Sequence, residues 1–175
     1  MVIERVCEHT FLPALIAPGG VILDCGVNYG RFSRWASEST SARVFGFEPD
    51  PRLFPELARL PRVEYIPCAV GAEEGVMTLY LGTSLCSSGY YPQVQEAGTC
   101  EVRVQSLPSF LNERQIQLVD LVKLDIEGAE LAILERLPSA TLRSMKQITV
   151  EFHDFLNAHD QPRIRAILRR MRQEN

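Results

Sequence analysis

At 175 residues, 46% of them hydrophobic, the chain is long enough for one domain with a full core. Its formal net charge of −4, with acids and bases mixed along the sequence, excludes the basic footprint of a nucleic-acid binder. Five widely spaced cysteines without a C-x-x-C pair, and no apolar run near the ~18 residues of a membrane span, point to a cytoplasmic protein with reduced thiols and no membrane contact.

Residues 2–16 place Val2, Val6, Phe11, Leu12, Leu15 and Ile16 partly at helical spacing. Pro13 interrupts the pattern and Pro18-Gly19-Gly20 ends it, which predicts a short, broken helix. Glu4, Arg5 and Glu8 stand where a signal peptide would be apolar. The stretch from Val21 to Ser33, V-I-L-D-C-G-V-N-Y-G-R-F-S, then reads as a strand ending at Asp24, a turn carrying Gly26, Asn28 and Gly30, and a helix from Arg31. Glycines let such a turn pass under a ligand, and the carboxyl end of a strand is the usual ligand edge of an open α/β sheet. A dinucleotide fingerprint needs glycine where Asn28 stands, and no G-x-x-x-x-G-K-[ST] occurs, so NAD and P-loop readings lose support. An acid ahead of the turn suits a ligand with a cationic amino-acid end and no phosphates, such as S-adenosylmethionine.

Phe32, Trp35 and Ala36 share a helical face, which assigns Trp35 to the core rather than to a ligand. A second strand, residues 43–47, ends on Glu48-Pro49-Asp50-Pro51. Pro49 holds Glu48 extended, so its carboxylate lies at the strand end, where an acid accepts hydrogen bonds from the ribose hydroxyls of an adenosine. Leu53, Leu57 and Leu60 predict a helix over 52–60, residues 63–66 a third strand, and residues 76–81 and 101–104 two more. Between those last two, the Ser-, Gly- and Tyr-rich residues 82–100 predict an active-site loop, with Ser88, Tyr90 and Tyr91 as substrate contacts.

A short helix over 106–112 and a strand over 118–124 lead into K-L-D-I-E-G-A-E. Asp125 ends the strand, Glu127 follows on the same side of an extended chain, and Gly128 turns into a helix whose dipole accounts for Glu130. Residues 148–153 form the fifth strand and bring His153 to the same edge. A final helix over 158–172 turns Ile164, Leu168 and Met171 inward and leaves its arginines solvated.

D-C-G-V-N-Y-G at 24–30, F-E-P-D-P at 47–51 and K-L-D-I-E-G-A-E at 123–130 stand in the order and spacing of one family. The chain resembles the FkbM family of S-adenosylmethionine-dependent methyltransferases over most of its length. The resemblance implies a single α/β domain of the class I methyltransferase type, Rossmann-like, with a mainly parallel sheet and helices on both faces. It also implies S-adenosylmethionine as cofactor and a small hydroxylated acceptor, a sugar or natural product, methylated on oxygen. By the same resemblance Asp24, Gly26, Asn28 and Gly30 would hold the methionine part and Glu48 the ribose. Asp125, Glu127 and His153 would face the acceptor, with His153 or Asp125 as general base, histidine having the better starting pKa. A divalent cation bridging Asp125, Glu127 and the acceptor oxygen is a further option that two carboxylates alone do not establish. Class I folds normally finish with an antiparallel strand pair that this sequence lacks. Either the sequence is a truncated version, or the fifth strand, Q-I-T-V-E-F, is left as a sheet edge able to pair two copies into a homodimer. A cofactor-binding or scaffolding domain without catalysis is the competing expectation.

Overall fold

The protein is described by a computed structural model covering residues 2–83, 96–153 and 160–174. The chain begins with an antiparallel hairpin, β1 (Glu4–Val6) and β2 (His9–Phe11). It continues through β3 (Val21–Cys25), α1 (Arg31–Ser39), β4 (Arg43–Phe47) and β5 (Val63–Ile66). Next come β6 (Ala69–Gly71), β7 (Gly75–Gly82), β8 (Glu96–Ser106) and α2 (Leu107–Glu113). The last described part contains β9 (Leu121–Leu124), α3 (Glu130–Arg136), α4 (Ser139–Arg143), β10 (Ile148–Val150) and α5 (Gln161–Glu174).

β3 is buried at all five positions because it is the middle of a five-stranded parallel sheet in the order β10-β9-β3-β4-β5. Its alternate residues serve opposite faces. Val21, Leu23 and Cys25 join Phe47, Val122 and Leu124 in a core completed by Phe110 of α2, Ile133 of α3, Leu142 of α4 and Ile167 of α5. Ile22, with Val44 and Leu121, turns the other way, to Phe11 of β2 and Phe32 and Ala36 of α1. Both faces are thus covered, which is why these strands read as continuous apolar runs rather than as alternating ones. Phe110 meets Phe45 and Phe47 edge-on at centroid distances of 5.2 and 4.9 Å. Contacts of that geometry add ~0.5–1.5 kcal/mol each beyond area burial. β6, β8 and β7 form a second sheet in that order. This is the class I arrangement, a mainly parallel sheet with helices on both faces.

Four segments depart from the sequence pattern. Residues 2–16 form the β1–β2 hairpin and a 3-10 turn at Pro13–Leu15 instead of a broken helix. Burial at His9 and Phe11 with Thr10 exposed is a period of two, too short to be heard against the scattered aliphatic positions. The helix expected over 52–60 is only a 3-10 turn, Phe54–Glu56. Pro55 lies inside it, lacks an N–H, and its ring would strike the carbonyl one turn back in an α-helix. β7 runs to Gly82 and β8 starts at Glu96, so both ends of the expected 82–100 loop are strand; Ser88, Tyr90 and Tyr91 lie outside the described residues. In α5, Ile164 and Ile167 are buried, whereas Leu168 is 42% exposed. Among the described residues β10 is one end of the sheet, and no helix is long and apolar enough to cross a membrane.

At the carboxyl edge the β3 and β9 exits nearly touch. Gly26 has φ +85°, and a Cβ there would stand 1.8 Å from the Asp125 carbonyl oxygen. Gly19 has φ +71° but nothing within 4 Å of its would-be Cβ. Gly19→Ala should therefore cost only the left-handed penalty of ~1–2 kcal/mol, and Gly26→Ala an overpacking cost of ~1–3 kcal/mol more. Urea midpoints of the two variants check this, and equal losses would contradict the close approach.

Candidate active site

The loops leaving β3, β4, β9 and β10 meet at one edge, and the β1–β2 hairpin reaches over it. After Gly26 the β3 loop carries Asn28 at φ 53° and Gly30 at φ 73° before α1 starts. Asparagine tolerates the left-handed region better than other side-chain-bearing residues, which explains how it substitutes for the fingerprint glycine. The Asn28 N–H donates to Glu48 Oε2 at 2.7 Å, and the Asp50 N–H donates to Glu48 Oε1 at 2.9 Å. Glu48 thus clamps the β3 and β4 loops together and is 5% exposed. Burial pushes its pKa up, against the two backbone hydrogen bonds.

Lys123 of β9 sits in register beside Asp24 of β3. Its ammonium donates to the Gly26 carbonyl and lies 3.3 Å from Asp24 Oδ1 and 3.4 Å from Asp125 Oδ2. Asp24 is fully buried, its Oδ2 accepting the Ser33 hydroxyl at 2.7 Å. Burial alone would lower the Lys123 pKa, but the charges of Asp24 and Asp125 outweigh it and hold the ammonium above its ordinary value.

On the far side of Asp125 lies a second group. His153 Nε2 is 3.2 Å from Glu127 Oε2 and 3.9 Å from Asp125 Oδ1. Its Nδ1 is 3.0 Å from Glu130 Oε1. Glu130 also accepts the N–H groups of Ile126 and Gly128, and it is 2% exposed. Glu127 is not extended: its φ of 58°, followed by Gly128 at 116°, swings the carboxylate round to His153. His9 Nε2 approaches Asp125 Oδ2 at 3.5 Å, and His9 Nδ1 faces Thr149 Oγ1 at 3.4 Å. Burial would raise the Asp125 pKa, yet the His9 hydrogen bond and the charge of Lys123 leave it below the usual carboxylate range. Burial raises that of Glu127, against the opposing charge of His153. His153 is lowered by burial and lifted more strongly by Glu130, Glu127 and Asp125, to about 9. The starting pKa that favoured histidine as a base is therefore not the one its surroundings give it.

A cavity of about 210 Å³ opens between hairpin and sheet edge, lined by Gly26, Asn28, Arg31, His9, Lys123 and Asp125 among others. Of the residues expected to hold a cofactor, Gly26 and Asn28 reach this wall. Asp24 and Glu48 stand behind it, shaping it through Lys123 and Asn28, and Gly30 turns the chain into α1. Of those expected to face an acceptor, Asp125 lines the cavity, and Glu127 and His153 join it from the side. The sequence pattern missed Lys123, His9 and the buried role of Glu130. A lysine between Val122 and Leu124 in an otherwise apolar strand was a usable signal, because a charge in a buried strand requires a partner.

Lys123→Met would remove the counter-charge of the fully buried Asp24. It should cost ~3–5 kcal/mol in urea unfolding, with much of that restored in Asp24→Asn/Lys123→Met. A loss below about 1 kcal/mol would show that the pair is solvated.

The family model of the Methyltransferase FkbM domain matches residues 24–175. The AMB antimetabolite synthetase AmbE of Pseudomonas aeruginosa is 29% identical over 80% of this chain, which spans 9% of that protein. The 31-O-demethyl-FK506 methyltransferase FkbM of Streptomyces tacrolimicus is 29% identical, with 79% of this chain and 67% of the relative covered. The hexuronic acid methyltransferase AglP of Haloferax volcanii is 28% identical, the match covering 80% of this chain and 59% of the relative. No solved structure matches the sequence. With the family model extending from the Asp24 turn through the Asp125 cluster and α5, the chain belongs to the FkbM methyltransferase domain family.

Proposed function

We propose that the chain methylates a hydroxyl oxygen of a small acceptor, a sugar or natural product, with S-adenosylmethionine as donor. The observation that carries this reading is that Asp125 belongs to two things at once. It lines the cavity over the glycine turn, and it joins the histidine and carboxylate cluster beside that cavity. The names of two relatives, for 31-O-demethyl-FK506 and for a hexuronic acid, support an oxygenated acceptor.

The wall suits the methionine end of the cofactor, whose carboxylate the Arg31 guanidinium would hold beside the glycine turn. Glu48 accepts one N–H on each oxygen and so fixes, from behind the wall, the β3 and β4 loop backbone against which the ribose would lie. When bound, the cofactor supplies a sulfonium methyl carbon that takes a lone pair of the acceptor oxygen while sulfur keeps the electrons of the broken C–S bond. Glu127, whose pKa burial raises, would receive the hydroxyl proton, and Asp125 and His153 would fix the attack line, so positioning and proton removal come from one cluster.

Calorimetry with S-adenosylmethionine, followed by transfer of its labelled methyl group to a panel of hydroxylated sugars and macrolides, tests the reading. Glu48→Gln should weaken cofactor binding by about tenfold or more, the loss of a charge-assisted hydrogen bond. Asp125→Asn should lower kcat by ~10²-fold or more. Cofactor binding without transfer to any acceptor would favour the scaffolding role instead.

A further inference from the structure

Two imidazoles converge on the two oxygens of Asp125, and each is oriented from behind. His9 Nδ1 faces Thr149 Oγ1, and His153 Nδ1 is paired with the buried carboxylate of Glu130. Both Nε2 atoms are thereby turned toward Asp125. An imidazole whose outer nitrogen is fixed by a carboxylate while the inner one faces further carboxylates is the usual architecture of a metal-binding histidine. Ligand atoms of Asp125, Glu127 and His153 all lie within 4.8 Å of one another, and so do those of His9, Asp125 and Glu151.

We infer that Asp125, Glu127 and His153 form a site for one first-row transition dication such as Mn²⁺. Electrostatics selects this trio over the other. Asp125 Oδ2, the oxygen on the His9 side, already faces the Lys123 ammonium at 3.4 Å, which repels a second cation there. Oδ1 faces Glu127 and His153 instead. His9 is then a positioning residue that holds the Asp125 carboxylate in the plane the site needs. One imidazole nitrogen with two carboxylate oxygens favours Mn²⁺, Fe²⁺, Co²⁺ or Zn²⁺ over Mg²⁺ and Ca²⁺, which prefer oxygen donors throughout. Three protein ligands leave coordination positions for oxygens of an acceptor. The site stands on its own ligands; its use in holding the acceptor hydroxyl rests on the methyl-transfer reading.

The test is Mn²⁺ titration of the chelator-stripped, full chain without S-adenosylmethionine, followed by electron paramagnetic resonance. The expected result is saturation at one ion per chain, with binding weakened about 10- to 100-fold in His153→Gln, Glu127→Gln and Glu130→Gln. Glu127 has a side chain 40% exposed, so Glu127→Gln remains a folded test even where the buried His153→Gln fails to fold. Absence of saturable binding below millimolar Mn²⁺, or Glu127→Gln binding as tightly as the unaltered chain, overturns the inference. S-adenosylmethionine binding is measured separately on the metal-free chain. Mn²⁺ bound at these ligands by a chain without cofactor binding or methyl transfer upholds the site and overturns the methyl-transfer reading. Methyl transfer by a chain that never binds Mn²⁺ does the reverse.

Discussion

The edge of the sheet depends on one ammonium. Lys123 ties the Gly26 carbonyl, Asp24 and Asp125 together across the β3–β9 register, and these groups otherwise repel one another. At an effective dielectric of about 20, each charge pair near 3.4 Å attracts by roughly 4–5 kcal/mol, while removing each ion from water costs several kcal/mol. The two nearly cancel, so the net contribution to stability is small. What remains is geometric: the glycine turn and the Asp125 carboxylate are fixed relative to each other, and every other group at the edge is placed with respect to them.

Two left-handed residues lie at the same edge. Asn28 and Glu127 both adopt left-handed φ values that cost a side-chain-bearing residue ~1–2 kcal/mol, and each is held by an acid from elsewhere in the fold. Glu48 accepts the Asn28 N–H, and Glu130 accepts the N–H groups flanking Glu127. The two motif acids that the ribose and helix-dipole readings assigned to a ligand and to a helix end are, in the structure, also the fasteners of these turns.

The parallel sheet was legible because its strands are apolar runs ending in chemistry-bearing residues at the carboxyl edge. Asp24, Glu48, Asp125 and His153 each sit where such an ending places them. Less visible were the features that depend on tertiary neighbours. His9 has no local pattern to distinguish it from any hairpin histidine; its partners, Thr149 and Asp125, lie more than a hundred residues away in sequence. Glu130 occupies an ordinary first-turn position, and only the loop folded back over it makes it buried. The convergence of Asp125 and Glu127 was anticipated for an extended chain but is achieved by a left-handed turn, because a sequence pattern records spacing and not the sign of φ.

The hairpin deserves a separate place in this picture. Phe11 packs against Phe32 and Trp35 with centroids 5.8 and 4.7 Å away, and the Trp35 indole N–H donates to Glu4 at 2.8 Å. It is thus fastened to α1, to Ile22 of β3 and, through His9, to Asp125 and Thr149. It also lies ahead of the family match, which begins at Asp24. A change in how the hairpin packs on α1 therefore reaches the Asp125 carboxylate through His9.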